Sequence, residues 1–247
     1  MEEVLKPVLK PVLKCVLPAA AIAAMALAAN AATRPAQDAS GPVQYASGPA
    51  ARETFEADYS NPELSPSHWI LTIHPDGDGH FRSWGGKGMG ADGSDIRAEG
   101  VDRDIQVSKE FAAHVFEVAH REKLFKIGCE SHLKVAFQGL KTLRYSGPDG
   151  AGSCTFNYSK DKEIEDLGDS MLGVEGTIME GARLELLLKH DPLGLDQEMT
   201  DLVEAAKDGR AQQLCAIRGI LTQIVNDPDV LIRVREWAGR LLADGKS

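Results

Sequence analysis

Positive charge is the first thing this chain is short of. Its 247 residues carry 27 Lys and Arg against 37 Asp and Glu, a formal net charge of −10. A nucleic-acid binder needs a basic face, so the balance argues against that class. Aromatic residues are also scarce, at 6%. No Gly-x-Ser-x-Gly and no His-Glu-x-x-His occurs, which removes the local signatures of serine hydrolases and zinc peptidases. Cys129-Glu130-Ser131-His132 has no second ligand pair at zinc spacing. Gly88-Met89-Gly90-Ala91-Asp92-Gly93 has the glycine spacing of a dinucleotide loop. It leads into strand-like Ile96-Arg97-Ala98 instead of the helix that must receive a pyrophosphate. Asp76-Gly77-Asp78-Gly79-His80 opens like a calcium loop, but Lys87 stands where the twelfth-position Glu is required. No assembled catalytic motif is left, and no cofactor is implied.

One apolar stretch exceeds an ordinary core segment. Residues 15–29 form an Ala-rich run, preceded by Lys6, Lys10 and Lys14 and ending in Ala29-Asn30-Ala31. That is the layout of a secretory signal peptide over residues 1–31, with cleavage near Ala31 and a periplasmic or extracellular destination. The run is marginal for a bilayer span, so no stable membrane span is expected after cleavage. Residues 32–66 hold Pro35, Pro42, Pro49, Pro62 and Pro66 among Ala, Ser and Gly with no apolar period, and read as a flexible linker.

An α+β domain is expected over residues 67–190. Residues 69–74 and 80–84 read as a hairpin around a Pro-Asp-Gly turn, with a third strand within 96–107 broken at Gly100. Ser108 caps a helix whose apolar stripe is Phe111, Val115, Val118 and Ala119, and Gly128 is placed to stop it. Residues 133–137, 141–146 and 153–158 read as a three-strand meander. The expected architecture is an antiparallel sheet of five to six strands in ββ(β)-α-βββ order with one packed helix. Three to four C-terminal helices follow, with residues 191–247 as a helical extension. The first carries the stripe Ile164, Leu167, Met171, Val174 and Ile178 and either packs closely at its glycines or breaks near Gly173 to Gly176. Asp196 is placed to cap the next helix, and Asp227-Pro228 to start the last.

Three groups of side chains are candidates for a role. Once Cys15 leaves with the signal, Cys129, Cys154 and Cys215 remain in an oxidising compartment. Cys129 and Cys154 lie on segments expected to meet and are the expected disulfide, and Cys215 shares the apolar side of its helix. His74, Asp76, Asp78 and His80 flank the hairpin turn as a candidate cation cluster. Most of the acidity falls in residues 160–208, where Glu163, Glu165, Asp166 and Asp169 form a candidate acidic interaction face.

The succession Ile-Leu-Thr-Ile-His-Pro-Asp-Gly, Ser-Lys-Glu-Phe, Lys-Leu-Phe and Gly-Leu-Lys-Thr-Leu-Arg-Tyr before a closing helix resembles a group of uncharacterised secreted bacterial domains, over about residues 67–180. The resemblance implies a strand–Asp-Gly–strand hairpin, a helix and a second set of strands, and no activity. The sequence thus points to an exported, non-catalytic module that binds a protein or another envelope component. The alternative is an exported hydrolase using carboxylate or His chemistry.

Overall fold

A computed structural model describes residues 52–89, 95–97 and 100–244. The signal segment, its cleavage point and most of the linker lie outside these residues, as do residues 90–93 of the glycine-rich motif. The fold is α+β. Its main sheet contains β1 (Thr54–Ser60), β2 (His68–Ile73), β3 (Asp78–Trp84), β6 (Asp102–Gln106), β7 (Leu140–Gly147) and β8 (Gly150–Phe156) in the order β6-β3-β2-β1-β7-β8, every pair antiparallel. β4 (Lys87–Met89) and β5 (Asp95–Arg97) pair with each other as a side ribbon. The helices are α1 (Lys109–Arg121), α2 (Lys162–His190), α3 (Leu195–Lys207), α4 (Arg218–Asn226) and α5 (Ile232–Asp244).

Two expectations about strands are corrected. The sheet order is four strands, helix, two strands, because β1 lies inside the stretch read as linker. Its Phe55, Ala57 and Tyr59 alternate onto the core face, but the prolines on either side mask that short period. Residues 133–137 also alternate, yet they form no strand: Leu133, Val135 and Phe137 all face solvent.

α1 starts as expected, with the Ser108 hydroxyl accepting the Phe111 amide at 3.1 Å. It ends at Arg121, short of Gly128. Lys123, Leu124 and Phe125 then take left-handed backbone angles in succession, φ 55°, 58° and 59°. Each such residue costs about 1 kcal/mol. Burial of Phe125 against Phe55, with ring centroids 5.9 Å apart, offsets about 2 kcal/mol of this. Gly152 on β8 allows the turn to lie close, because a Cβ there would sit 2.2 Å from the Leu124 carbonyl oxygen.

α2 runs unbroken for 29 residues, a rod about 43 Å long. Its first part, from Ile164 to Ile178, closes the core between sheet and α1. Leu184 then enters a second core with α3, α4 and α5. The helix does not break at its glycines, and close packing explains Gly168, Gly173 and Gly181, though not Gly176: at Gly181 a Cβ would meet Ile217 Cγ2 at 2.3 Å. α3 is capped by Gly194 and not by Asp196, whose carboxylate binds Arg233 of α5 instead. Asp227 accepts the Asp229 amide at 2.9 Å, and α5 begins only at Ile232. Among the described residues no helix is long and apolar enough to cross a membrane.

Candidate functional site

The β2–β3 turn is closed by its backbone: the His74 amide donates to Asp78 at 2.8 Å and the Gly77 amide to His74 at 2.9 Å. Asp76 accepts the Asp78 amide at 3.2 Å and both contacts of the Arg52 guanidinium at 2.6 and 2.7 Å. Desolvation opposes its charge, but Arg52 and the turn amides outweigh that and hold its carboxyl below the ordinary value. Arg52 also reaches Asp78 at 3.6 Å. His74 points elsewhere, its Nδ1 3.1 Å from the Glu53 carbonyl. His80 lies on the open face of the sheet, with Nε2 3.0 Å from Asp102 and Nδ1 2.9 Å from Asp104. A carboxylate only accepts, so the imidazolium form satisfies both contacts.

These partners decide the fate of the candidate cation cluster. Arg52 already occupies Asp76 and Asp78, and His80 is turned to β6. Among the described residues no group of three or more His, Cys, Asp or Glu is set out to hold a metal ion. What the turn does build is one wall of a cleft of about 860 Å³. Arg52, His74, Asp78, His80, Asp104 and Lys109 line that side. Cys215, Ala216, Arg218 and Thr222, from the 3₁₀ turn Leu214–Ile217 and the start of α4, line the other. The walls are tied together where the Ser108 amide donates to Gln213 Oε1 at 2.8 Å. Lys109 and Arg218 form no ion pair among the described residues, while the carboxylates of the lining, Asp78 and Asp104, are turned to Arg52 and His80. Cys215 is buried in this wall and is disulfide-bonded, which its reading as a core residue did not anticipate.

A second polar cluster lies at the same end of the sheet. Tyr145 is buried on β7 with its hydroxyl 2.5 Å from Asp149, 2.8 Å from Glu53 and 3.4 Å from His120 Nε2. That nitrogen lies 3.1 Å from Asp149 and 3.4 Å from Glu53, while Nδ1 is 2.7 Å from the Phe116 carbonyl. Desolvation first, then the two carboxylates, push the Tyr145 phenol far above its ordinary value. The Tyr145 hydrogen bond holds Asp149 below its own.

The expected disulfide is present: Cys129 and Cys154 are bonded with Cα atoms 5.7 Å apart. Each carboxylate of the expected acidic face has a cation partner within the chain, although Glu163, Asp166 and Asp169 stay exposed. Glu163 binds Arg121 at 2.6 Å, Asp166 binds Lys162 at 2.6 Å, and Asp169 lies 3.2 Å from Lys141. Glu165 binds Lys141 at 3.0 Å and accepts the Ser159 amide at 2.7 Å. Lys141 is only 4% exposed, so Glu165 neutralises a cation buried beneath α2.

Arg52, Asp104, Lys109 and Arg218, and the group Glu53, His120, Tyr145 and Asp149, had no sequence signature. Each is assembled from segments far apart in the chain. The one local hint was the Ser108 cap, which places Lys109 at the first turn of α1. No family model matches this chain, and no curated protein matches it.

Proposed function

We propose that this protein is an exported, non-catalytic binding module and that the cleft between the β2–β3 turn and α4 holds its ligand. The observation that carries the reading is the cleft's charge: Lys109 and Arg218 line it without ion-pair partners among the described residues, while its carboxylates, Asp78 and Asp104, already face Arg52 and His80. Such a lining suits an envelope component bearing carboxylate or phosphate groups. Export is inferred from the leader at residues 1–31, and the Cys129–Cys154 bond suits an oxidising compartment.

The test is a thermal-shift titration of the protein purified after export from a bacterial host, with citrate and inorganic phosphate as probes. The melting temperature rises with at least one of them. The double variant Lys109→Ala/Arg218→Ala keeps the unliganded melting temperature and weakens the response on the order of tenfold. No response to either anion, or an equal response in the variant, refutes the reading. The hydrolase alternative has one observation in its favour, the meeting of Tyr145, His120, Glu53 and Asp149. Ester or glycoside hydrolysis lost in Glu53→Gln would establish it.

A further inference from the structure

The opposite end of the sheet has a different character. Ser60, His68, Trp84 and Leu140 are cross-strand neighbours in one row there. Leu64, Trp84, Leu133, Val135, Phe137 and Leu140 are all exposed at that end, with Leu133 at 50% and Phe137 at 54%. Residues 131–140 contain one formally charged side chain, Lys134, set between Leu133 and Val135.

The polar backbone beneath these tips is turned inward. The Glu130 carboxylate accepts the amides of His132 at 3.1 Å and Asn157 at 2.7 Å, which hold its pKa down. The Asn157 side chain accepts the Gln138 amide at 2.7 Å and donates to the Ala136 carbonyl at 3.1 Å. Tyr59 donates to the Gln138 carbonyl at 2.6 Å, and the Ser131 hydroxyl accepts the Leu133 amide at 3.1 Å. The Val135 amide donates to the Leu133 carbonyl at 3.0 Å. The disulfide anchors the start of the segment. The loop is therefore fixed before any partner arrives, which removes the ordering cost of docking. Many of its peptide groups already have partners, which lowers the cost of leaving water.

Two features select the occupant. The apolar tips project from two separate loops and a strand end, and a lipid headgroup–acyl boundary accepts separate tips without a matching shape. Charge agrees: Lys134 stands between Leu133 and Val135 with no ion-pair partner among the described residues, while Glu130 is consumed internally. We propose that this end of the sheet docks on an anionic lipid surface. Leu133, Val135 and Phe137 enter the boundary, and Lys134 reaches back to the phosphates. Glu63, exposed on the neighbouring loop, is the carboxylate such a surface repels.

The test uses the exported protein with vesicles of phosphatidylglycerol and, separately, phosphatidylcholine. In Phe137→Trp, brominated acyl chains in the phosphatidylglycerol vesicles quench the new tryptophan beyond any quenching of the wild type. That readout reports on this position whatever the N-terminal segment does. In flotation, Leu133→Ser/Val135→Ser/Phe137→Ser lowers partitioning on the order of tenfold, with circular dichroism unchanged. Lys134→Glu weakens binding and Glu63→Gln strengthens it on phosphatidylglycerol only. Absence of added quenching in Phe137→Trp overturns the proposal. So does a wild-type dimer in light scattering that the triple serine variant abolishes, because the face would then belong to a second copy.

Discussion

The two ends of one sheet handle their exposed groups in opposite ways. At the turn end, charged side chains converge on each other: Arg52 on Asp76, His80 on Asp102 and Asp104, and Tyr145 between Glu53 and Asp149. Two cations, Lys109 and Arg218, are left without ion pairs among the described residues and face a cleft. At the loop end, polar groups are spent on the backbone and apolar side chains are left over. Strand direction puts the ends about 20 Å apart, so one scaffold can present a polar seat and an apolar face without either disturbing the other.

The largest expected effect tests how the loop end is held. Glu165→Ala leaves Lys141 buried beside the exposed Asp169 alone and costs about 3–5 kcal/mol in chemical denaturation. Replacing the pair together, Lys141→Met with Glu165→Leu, recovers most of that loss. Should Glu165→Ala cost under 1 kcal/mol, Lys141 reaches water more easily than its burial implies. Next in size is the disulfide. Cys129→Ala/Cys154→Ala removes a bond spanning 25 residues and costs about 3 kcal/mol. That lowers the melting temperature in calorimetry by about 6–12 °C. Amide exchange then quickens in residues 131–138 and not around the cleft.

The smallest effect belongs to the turn end and shows in its pH dependence. The Tyr145 phenol titrates above its unfolded value when folded. Its contribution is therefore complete below about pH 10 and is lost as pH rises beyond. Asp149 and Asp76 titrate below their unfolded values, so their contributions are present above about pH 4 and are lost on acidification. Tyr145→Phe costs about 1–2 kcal/mol at neutral pH and flattens the alkaline limb of the stability curve. A curve unchanged by that substitution would show that the carboxylates do not hold the phenol.

The sequence showed these ends unequally. The hairpin, the Ser108 cap, the α2 stripe and the Cys129–Cys154 pair were legible because each is a local pattern or a question of compartment. β1 was not, since Pro49 and Pro62 bracket a seven-residue strand whose partners lie elsewhere in the chain. Residues 133–137 have the strand period but no strand, because alternation records only spacing and Asn157 captures the backbone instead. The left-handed turn Lys123–Phe125 contains no glycine; its permissive glycine is Gly152, on another strand. The acidic run at the start of α2 looked unpartnered because two of its cations, Arg121 and Lys141, lie 42 and 24 residues from their partners. Of the candidate cation residues, His74, Asp78 and His80 do line the cleft, but their companions there come from residues 104–109 and 215–222.

Differential amide exchange on the purified protein, alone, with citrate and with phosphatidylglycerol vesicles, tests the separation of the two ends most directly. The account predicts that citrate slows exchange in residues 74–80, 107–110 and 216–222 and leaves 131–138 unchanged. Vesicles slow 131–138 and leave the cleft segments unchanged. Protection of the same segments by both probes, or of neither set by its own probe, would contradict it.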